Sequence, residues 1–177
     1  MGVHGMVKIR KGMFETNSSS THTIIVTDQK TEPGNLVDFA IGEFGWEFSV
    51  LSTIDEKASY LYTLACDCLG EDVYPRLYDM LVKYGVQCSC SEPAKFVKSS
   101  WSDGEFLDNG YVDHCTDGDA MDFVNRMLSH EHALIKYLFS GESFVVTGND
   151  NCDEDRYEWM QEKTDVDYPH ETYYKGN

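Results

Sequence analysis

The longest helical signal in the chain is DAMDFVNRMLSHEHALIKYLFSG, residues 119–141. Val124, Leu128, Ile135 and Leu138 recur on one face, Asp119 stands near the cap position, and Gly141 follows the last turn. Such a helix is stable mainly through burial of its apolar stripe against another element. Two shorter segments make the same demand. STIDEKASYLYTLACDCLG puts Ile54, Ala58, Leu61, Ala65 and Leu69 on one face, with Ser52 or Thr53 as cap and Gly70 as stop. EDVYPRLYDMLVKYG turns Val73, Leu77, Met80, Leu81 and Tyr84 inward and ends at Gly85; Pro75 sits near its first turn, where a missing N–H costs little.

The surface these helices need is a sheet. MVKIRKGMF alternates Val7 and Ile9 with Lys8 and Arg10 before Gly12, which predicts a strand at Val7–Arg10. THTIIVTD predicts a second, at Thr23–Thr27, able to pair with the first across residues 15–22, a loop by composition. A turn at Pro33-Gly34 follows. LVDFAIGEFGW reads as extended with a bend at Gly42 or Gly45. VQCSC and AKFVKSSW read as strands, and GYVDHC as a strand edge after an Asn109-Gly110 turn. SFVVTGNDN is a strand, Phe144–Thr147, running into a polar turn. The strands and three main helices do not alternate strictly, which predicts a single α+β domain over residues 1–151, with a mixed or antiparallel sheet and about three packed helices. Residues 152–177 read as an acidic, aromatic C-terminal extension: a short helix around 156–161, then a poorly ordered tail.

Composition narrows the function classes. No apolar run approaches the ~20 residues of a membrane-spanning helix, and MGVHGMVKIRKG lacks the apolar core of a secretory signal. Met6 breaks the myristoylation pattern begun by Gly2. These features predict a cytoplasmic chain whose six cysteines are thiols. CDC and CSC lack the usual zinc spacing, and Cys66 and Cys68 lie two apart on a helix, so reduced, partly buried cysteine is the reading favoured over zinc. The net charge is −17. Residues 1–30 hold Lys8, Arg10, Lys11 and Lys30 against Glu15 and Asp28, so the acid belongs to the rest of the chain. Direct binding to nucleic acid is disfavoured, because that affinity comes from cationic neutralisation of phosphates. The acid serves solubility, faces a basic protein, or imitates a phosphate backbone.

Four motifs carry polar chemistry. ETNSSSTH concentrates hydroxyls beside the chain's basic cluster, which suits either side chains folded back on a tight loop or an anion cradle of Lys8, Arg10, Ser18, Ser19 and Ser20 with His22 as donor or general base. GYVDHC sets Asp113 beside His114, on opposite faces if the segment is a strand. VVTGNDN ends an apolar strand in Asn149, Asp150 and Asn151, either an Asx turn or a site in which Asp150 ligates a metal or orients His22. SHEHAL spaces His130 and His132 two apart on a helix, which argues against a shared metal. No cofactor is indicated.

VKIRKGMFETNSSSTH resembles the opening of a group of proteins encoded by bacteriophages and other mobile elements. GEFGWEF, KASYLYTLA, GYVDHC and SFVVTGNDN follow in the order of that group, covering most of residues 7–151. In members of the group the position of Cys115 is often Gln and the next Ser, so DHCT departs slightly. The resemblance implies life inside an infected bacterial cell and convergence of the polar loop, the Asp-His pair and the Asn-Asp turn on one site; it supplies no mechanism. Two expectations follow. In the first, the chain is a phage accessory protein that blocks a host nucleic-acid machine, such as a CRISPR effector or another defence nuclease. Its acidic surface meets a basic groove, and Asp153, Glu154, Asp155, Tyr157 and Trp159 form the contact. In the second, it is a small enzyme acting on a phosphoester or nucleotide through His22, Asp113, His114 and Asp150.

Overall fold

A computed structural model of the chain describes residues 20–45, 47–98, 104–113, 118–149 and 154–175. Its central element is β1 (Ser20–Thr27), buried at all eight positions. A strand buried on both faces must have cover above and below, and the order β10-β1-β9-β4 puts it inside a four-stranded sheet. It pairs antiparallel with β9 (Phe144–Asn149) on one edge and with β10 (His170–Lys175) on the other; β9 in turn pairs antiparallel with β4 (Ser49–Leu51). Three two-stranded ladders flank this sheet: β2 (Leu36–Ala40) parallel to β5 (Gln87–Glu92), β3 (Glu43–Phe44) parallel to β8 (Tyr111–Val112), and β6 (Phe96–Lys98) antiparallel to β7 (Glu105–Leu107). The chain is thus a single α+β domain with antiparallel and parallel pairing.

Alternation along β1 sorts its side chains. Ile24 and Val26 enter the main core with Val145, under α1 (Ile54–Leu69), α3 (Gly118–Ser129) and α4 (Glu131–Phe139). Ile25 and Val146 also are fully buried, but lie outside that cluster. On their face of the sheet Thr21 Oγ1 donates to Met160 Sδ of α5 (Glu154–Thr164). Gly148 permits this approach: a Cβ there would sit 2.4 Å from Met160 Sδ and 2.9 Å from the Phe48 ring.

α1 keeps its expected cap. Thr53 Oγ1 accepts from Glu56 N while the Glu56 carboxylate accepts from Thr53 N, a reciprocal capping box. Ala58, Leu61 and Ala65 of its stripe are fully buried. α2 (Val73–Val82) buries Val73, Leu77, Met80 and Leu81.

The structure departs from the sequence expectation in four places. The segment 119–140 is two helices, since His130 is extended (φ −132, ψ 96) between α3 and α4. Four main helices therefore stand in place of the expected three among the described residues, and α5 (Glu154–Thr164) occupies the place of the short helix expected around 156–161. Ser20, Thr21 and His22 are strand, not loop. The expected disordered tail instead contains β10, an edge strand of the central sheet. The expected strand Val7–Arg10 lies outside the described residues, and from His22 to Ile25 its proposed partner is flanked on both edges, by β10 and β9.

Candidate functional site

The polar end of β1 shares a face with the core. Ser20 and His22 alternate with Thr21 and so point the way Ile24 points; their cross-strand partners on β9, Asn149 and Thr147, lie on the same face. All four are buried, Ser20 and His22 completely. Above them α1 presents Tyr60, also completely buried. Tyr60 Oη and His22 Nδ1 share a hydrogen bond of 2.9 Å, with ring centroids 5.7 Å apart. That bond fixes the imidazole orientation. Thr147 Oγ1 donates to Glu47 O at 2.7 Å. Ser20 Oγ is buried without a hydrogen-bond partner among the described residues.

Asp113 is held beside Phe44 by the backbone. Its backbone N–H donates to Phe44 O at 2.8 Å, and the Phe44 ring meets Tyr60 edge-on at 5.3 Å. His22 thus bonds Tyr60 through its side chain while Asp113 is tied to Phe44 through its backbone, and Ser20 and Asn149 lie on the same face of the sheet as His22. His114, Asp150, Lys8, Arg10, Ser18 and Ser19 lie outside the described residues. Among the described residues no group of three or more His, Cys, Asp or Glu side chains is placed to hold a metal ion. Cys66, Cys88 and Cys90 are free thiols, and burial pushes the Cys66 thiol up to about 12, the setting of an inert structural cysteine.

Tyr60 is the member that sequence reasoning missed. Its signal was a hydroxyl on the inward side of a helix, since a buried tyrosine usually finds a polar partner. Removing that hydroxyl (Tyr60→Phe) is expected to lower unfolding stability by ~1–2 kcal/mol, because it strips a bond from a buried imidazole. Denaturant titration measures this, and an unchanged midpoint would show that the bond contributes nothing.

The second candidate region is α5 and the turn after it. Glu154, Asp155, Glu158, Glu162, Asp165 and Asp167 are all exposed. The two cations of the stretch are turned onto rings: Arg156 lies 5.7 Å from the centroid of Phe48, and Lys163 5.9 Å from that of Trp159. Tyr157 is exposed, whereas Trp159 packs edge-on against Phe48 at 6.0 Å and is half-buried. Trp159 is therefore a fastening of the helix rather than an open aromatic anchor. Asp153 lies outside the described residues. No helix of the described residues is long and apolar enough to cross a membrane.

No protein-family model, no curated protein and no solved structure matches this chain. The functional reading therefore rests on residues and geometry alone.

Proposed function

We propose that this chain is an acidic binding protein, carried by a phage or other mobile element, that blocks a host nucleic-acid-acting enzyme by occupying its positively charged groove. One observation carries the reading: six exposed carboxylates lie within Glu154–Asp167, and none forms an ion pair among the described residues. Unneutralised acid on one exposed helix and turn repeats the chemistry of a phosphate backbone. It would associate quickly with a basic groove and release it as salt rises. CRISPR effectors and other defence nucleases are the class of target with such a groove.

A second reading is favoured by a different observation, the buried polar set Ser20, His22 and Asn149 on one face of the sheet, with His22 bonded to Tyr60. On this reading the protein is a phosphoester- or nucleotide-processing enzyme. Lys8, Arg10, Ser18, Ser19 and Ser20 would hold phosphate, and His22, Asp113, His114 and Asp150 would move protons. The complete burial of His22 weighs against it.

One experiment separates the two. Glu154→Gln, Asp155→Asn and Glu158→Gln are combined, and the variant is compared with wild type and His22→Ala in bacteria carrying a defence nuclease, scored by nuclease activity. The triple variant is expected to lose at least tenfold in inhibition and to show a flatter salt dependence. Full inhibition by the triple variant beside a dead but folded His22→Ala would overturn the acidic-mimic reading and favour catalysis.

A further inference from the structure

α5 is fastened more lightly than the other helices. Of its eleven residues Met160 alone is fully buried, Trp159 and Thr164 are half-buried, and eight are exposed. α4, two residues shorter, buries five. Three side-chain contacts tie α5 down among the described residues. Thr21 Oγ1 donates to Met160 Sδ at 3.4 Å, the Trp159 ring meets Phe48 edge-on, and the Arg156 guanidinium lies over the same Phe48 ring. Lys163 turns onto Trp159 of its own helix, and the Thr164 hydroxyl bonds carbonyls of its own last turn, so neither adds a tie. Met160 and Phe48 meet at Gly148, where a Cβ would sit 2.4 Å from Met160 Sδ and 2.9 Å from the Phe48 ring. The attachment therefore converges on one seat, cleared by a missing side chain.

Burial of apolar surface is what holds a helix on a sheet, so a segment with one buried anchor opens more readily than the domain unfolds. Nothing within α5 compensates. A helix of this length is marginal in water by itself. Glu154, Glu158 and Glu162 follow one another at four-residue spacing, where like charges repel, and none of them forms an ion pair among the described residues. The chain just beyond α5 is held firmly. Tyr168 Oη donates to Glu142 O at 2.6 Å, Asp28 N donates to Pro169 O at 2.9 Å, and β10 then pairs with β1. Between the light fastening and the firm one lie residues 165–167.

We infer that α5 is a latch. It leaves the sheet as one unit, pivoting at residues 165–167, while β1, β9 and β10 stay paired, and the seat at Gly148 sets the fraction of time it is closed. Closed, it presents its carboxylates on a fixed helix; open, they sit on an unstructured arm. A partner that needs the fixed helix therefore binds in proportion to the closed fraction, a consequence that rests on the acidic-mimic reading, whereas the opening itself does not.

Hydrogen exchange on the full chain tests this. Protection of the amides of residues 158–164 is expected to be about a hundredfold or more below that of α1 and β9. Gly148→Ala fills the seat at a strand position whose backbone alanine adopts freely. It should lower α5 protection about tenfold further and leave α1 unchanged. Met160→Ala removes the anchor instead of the seat, and should do the same even if Gly148→Ala disturbs β9. Equal protection of α5 and α1 in wild type, or loss of protection from α5 and α1 together in both variants, would overturn the inference. Both variants keep every carboxylate, so a loss of nuclease inhibition that matches the loss of α5 protection supports the latch. Undiminished inhibition by both, beside a failing α5 triple variant, would overturn the latch's control of binding and leave the acidic-mimic reading standing. Full inhibition by the triple variant, beside an α5 that opens as expected, would overturn that reading and leave the latch.

Discussion

Lys57→Ala is expected to cost about 3–5 kcal/mol of unfolding stability, a large share of what a domain of this size possesses. Lys57 is an α1 side chain almost completely enclosed. Its ammonium donates to Ser140 O at 2.6 Å and Ser143 O at 2.9 Å, in the connection from α4 to β9. Tyr137 Oη donates to the Lys57 carbonyl at 3.0 Å, so α1 and α4 meet at the same residue. Alanine removes the ammonium donor from the buried Ser143 carbonyl, leaves the Ser140 carbonyl with only a 3.4 Å bond from Ser143 N, and opens a void where the four-carbon stem lay; each effect alone costs ~1–3 kcal/mol. Lys57→Met keeps the stem volume and removes the ammonium, with its charge and its two hydrogen bonds. The pair of variants therefore separates packing from electrostatics.

Burial pulls the Lys57 ammonium down from 10.5 to about 8, while neighbouring Glu56 opposes the shift. Between those pH values the unfolded chain carries more protons than the folded one, so this residue's contribution rises with pH across that window, by about 3 kcal/mol in full. Buried Cys66 works the other way. Its folded-state value is raised, so its contribution falls once the unfolded thiol ionises, above about pH 9. That opposing effect is common to wild type and Lys57→Met and cancels in their difference. Denaturant midpoints at pH 7, 8.5 and 10 should show wild type gaining steadily on Lys57→Met. Parallel curves would mean that Lys57 is not buried as a charged group at neutral pH.

Gly110→Ala is expected to cost about 3 kcal/mol or more, at or above the usual range for overpacking. A Cβ at this position would lie 2.3 Å from Ile41 Cγ2 and 2.4 Å from Gly42 O. The second contact is backbone, and that backbone is pinned: Ile41 N donates to Glu92 O at 2.8 Å, Gly42 N to Thr63 Oγ1 at 3.0 Å, and Gly42 O accepts from Tyr111 N at 3.0 Å. The clash must be relieved by moving β8, which carries Asp113 at its end. Amide shifts should therefore spread to Phe44 and Tyr60. Gly141→Ala is the control, since a Cβ there meets nothing within 4 Å. Equal melting temperatures for the two variants would contradict the close approach.

Local features of the fold were legible where local chemistry decides. The Thr53 and Glu56 side chains that cap α1 are three apart in sequence, and the stripes of α1 and α2 are periodic. The break at His130 has no glycine or proline to announce it; His130 Nδ1 bonds Ser129 Oγ at 2.8 Å and makes no cap bond. Ser20, Thr21 and His22 are loop formers by composition, but ladder pairing with β9 and enclosure on both faces overrode that preference. HETYYK has the alternation of a strand, yet its role depended on pairing with residues at the other end of the chain. At the site, His22, Asp113 and Asn149 were named from their motifs. Tyr60 was not, because the bond that singles it out spans 38 positions.

The pairing of β1 has a consequence for biosynthesis. Its eight residues leave the ribosome more than a hundred residues ahead of β9, and further still ahead of β10. Throughout that interval TIIV is an apolar β-forming segment with both edges open, the type of sequence that nascent chains aggregate through and chaperones hold. The sheet can close only after residues 170–175 have been made, so stalling or truncation before residue 170 leaves one flank of the innermost strand uncovered.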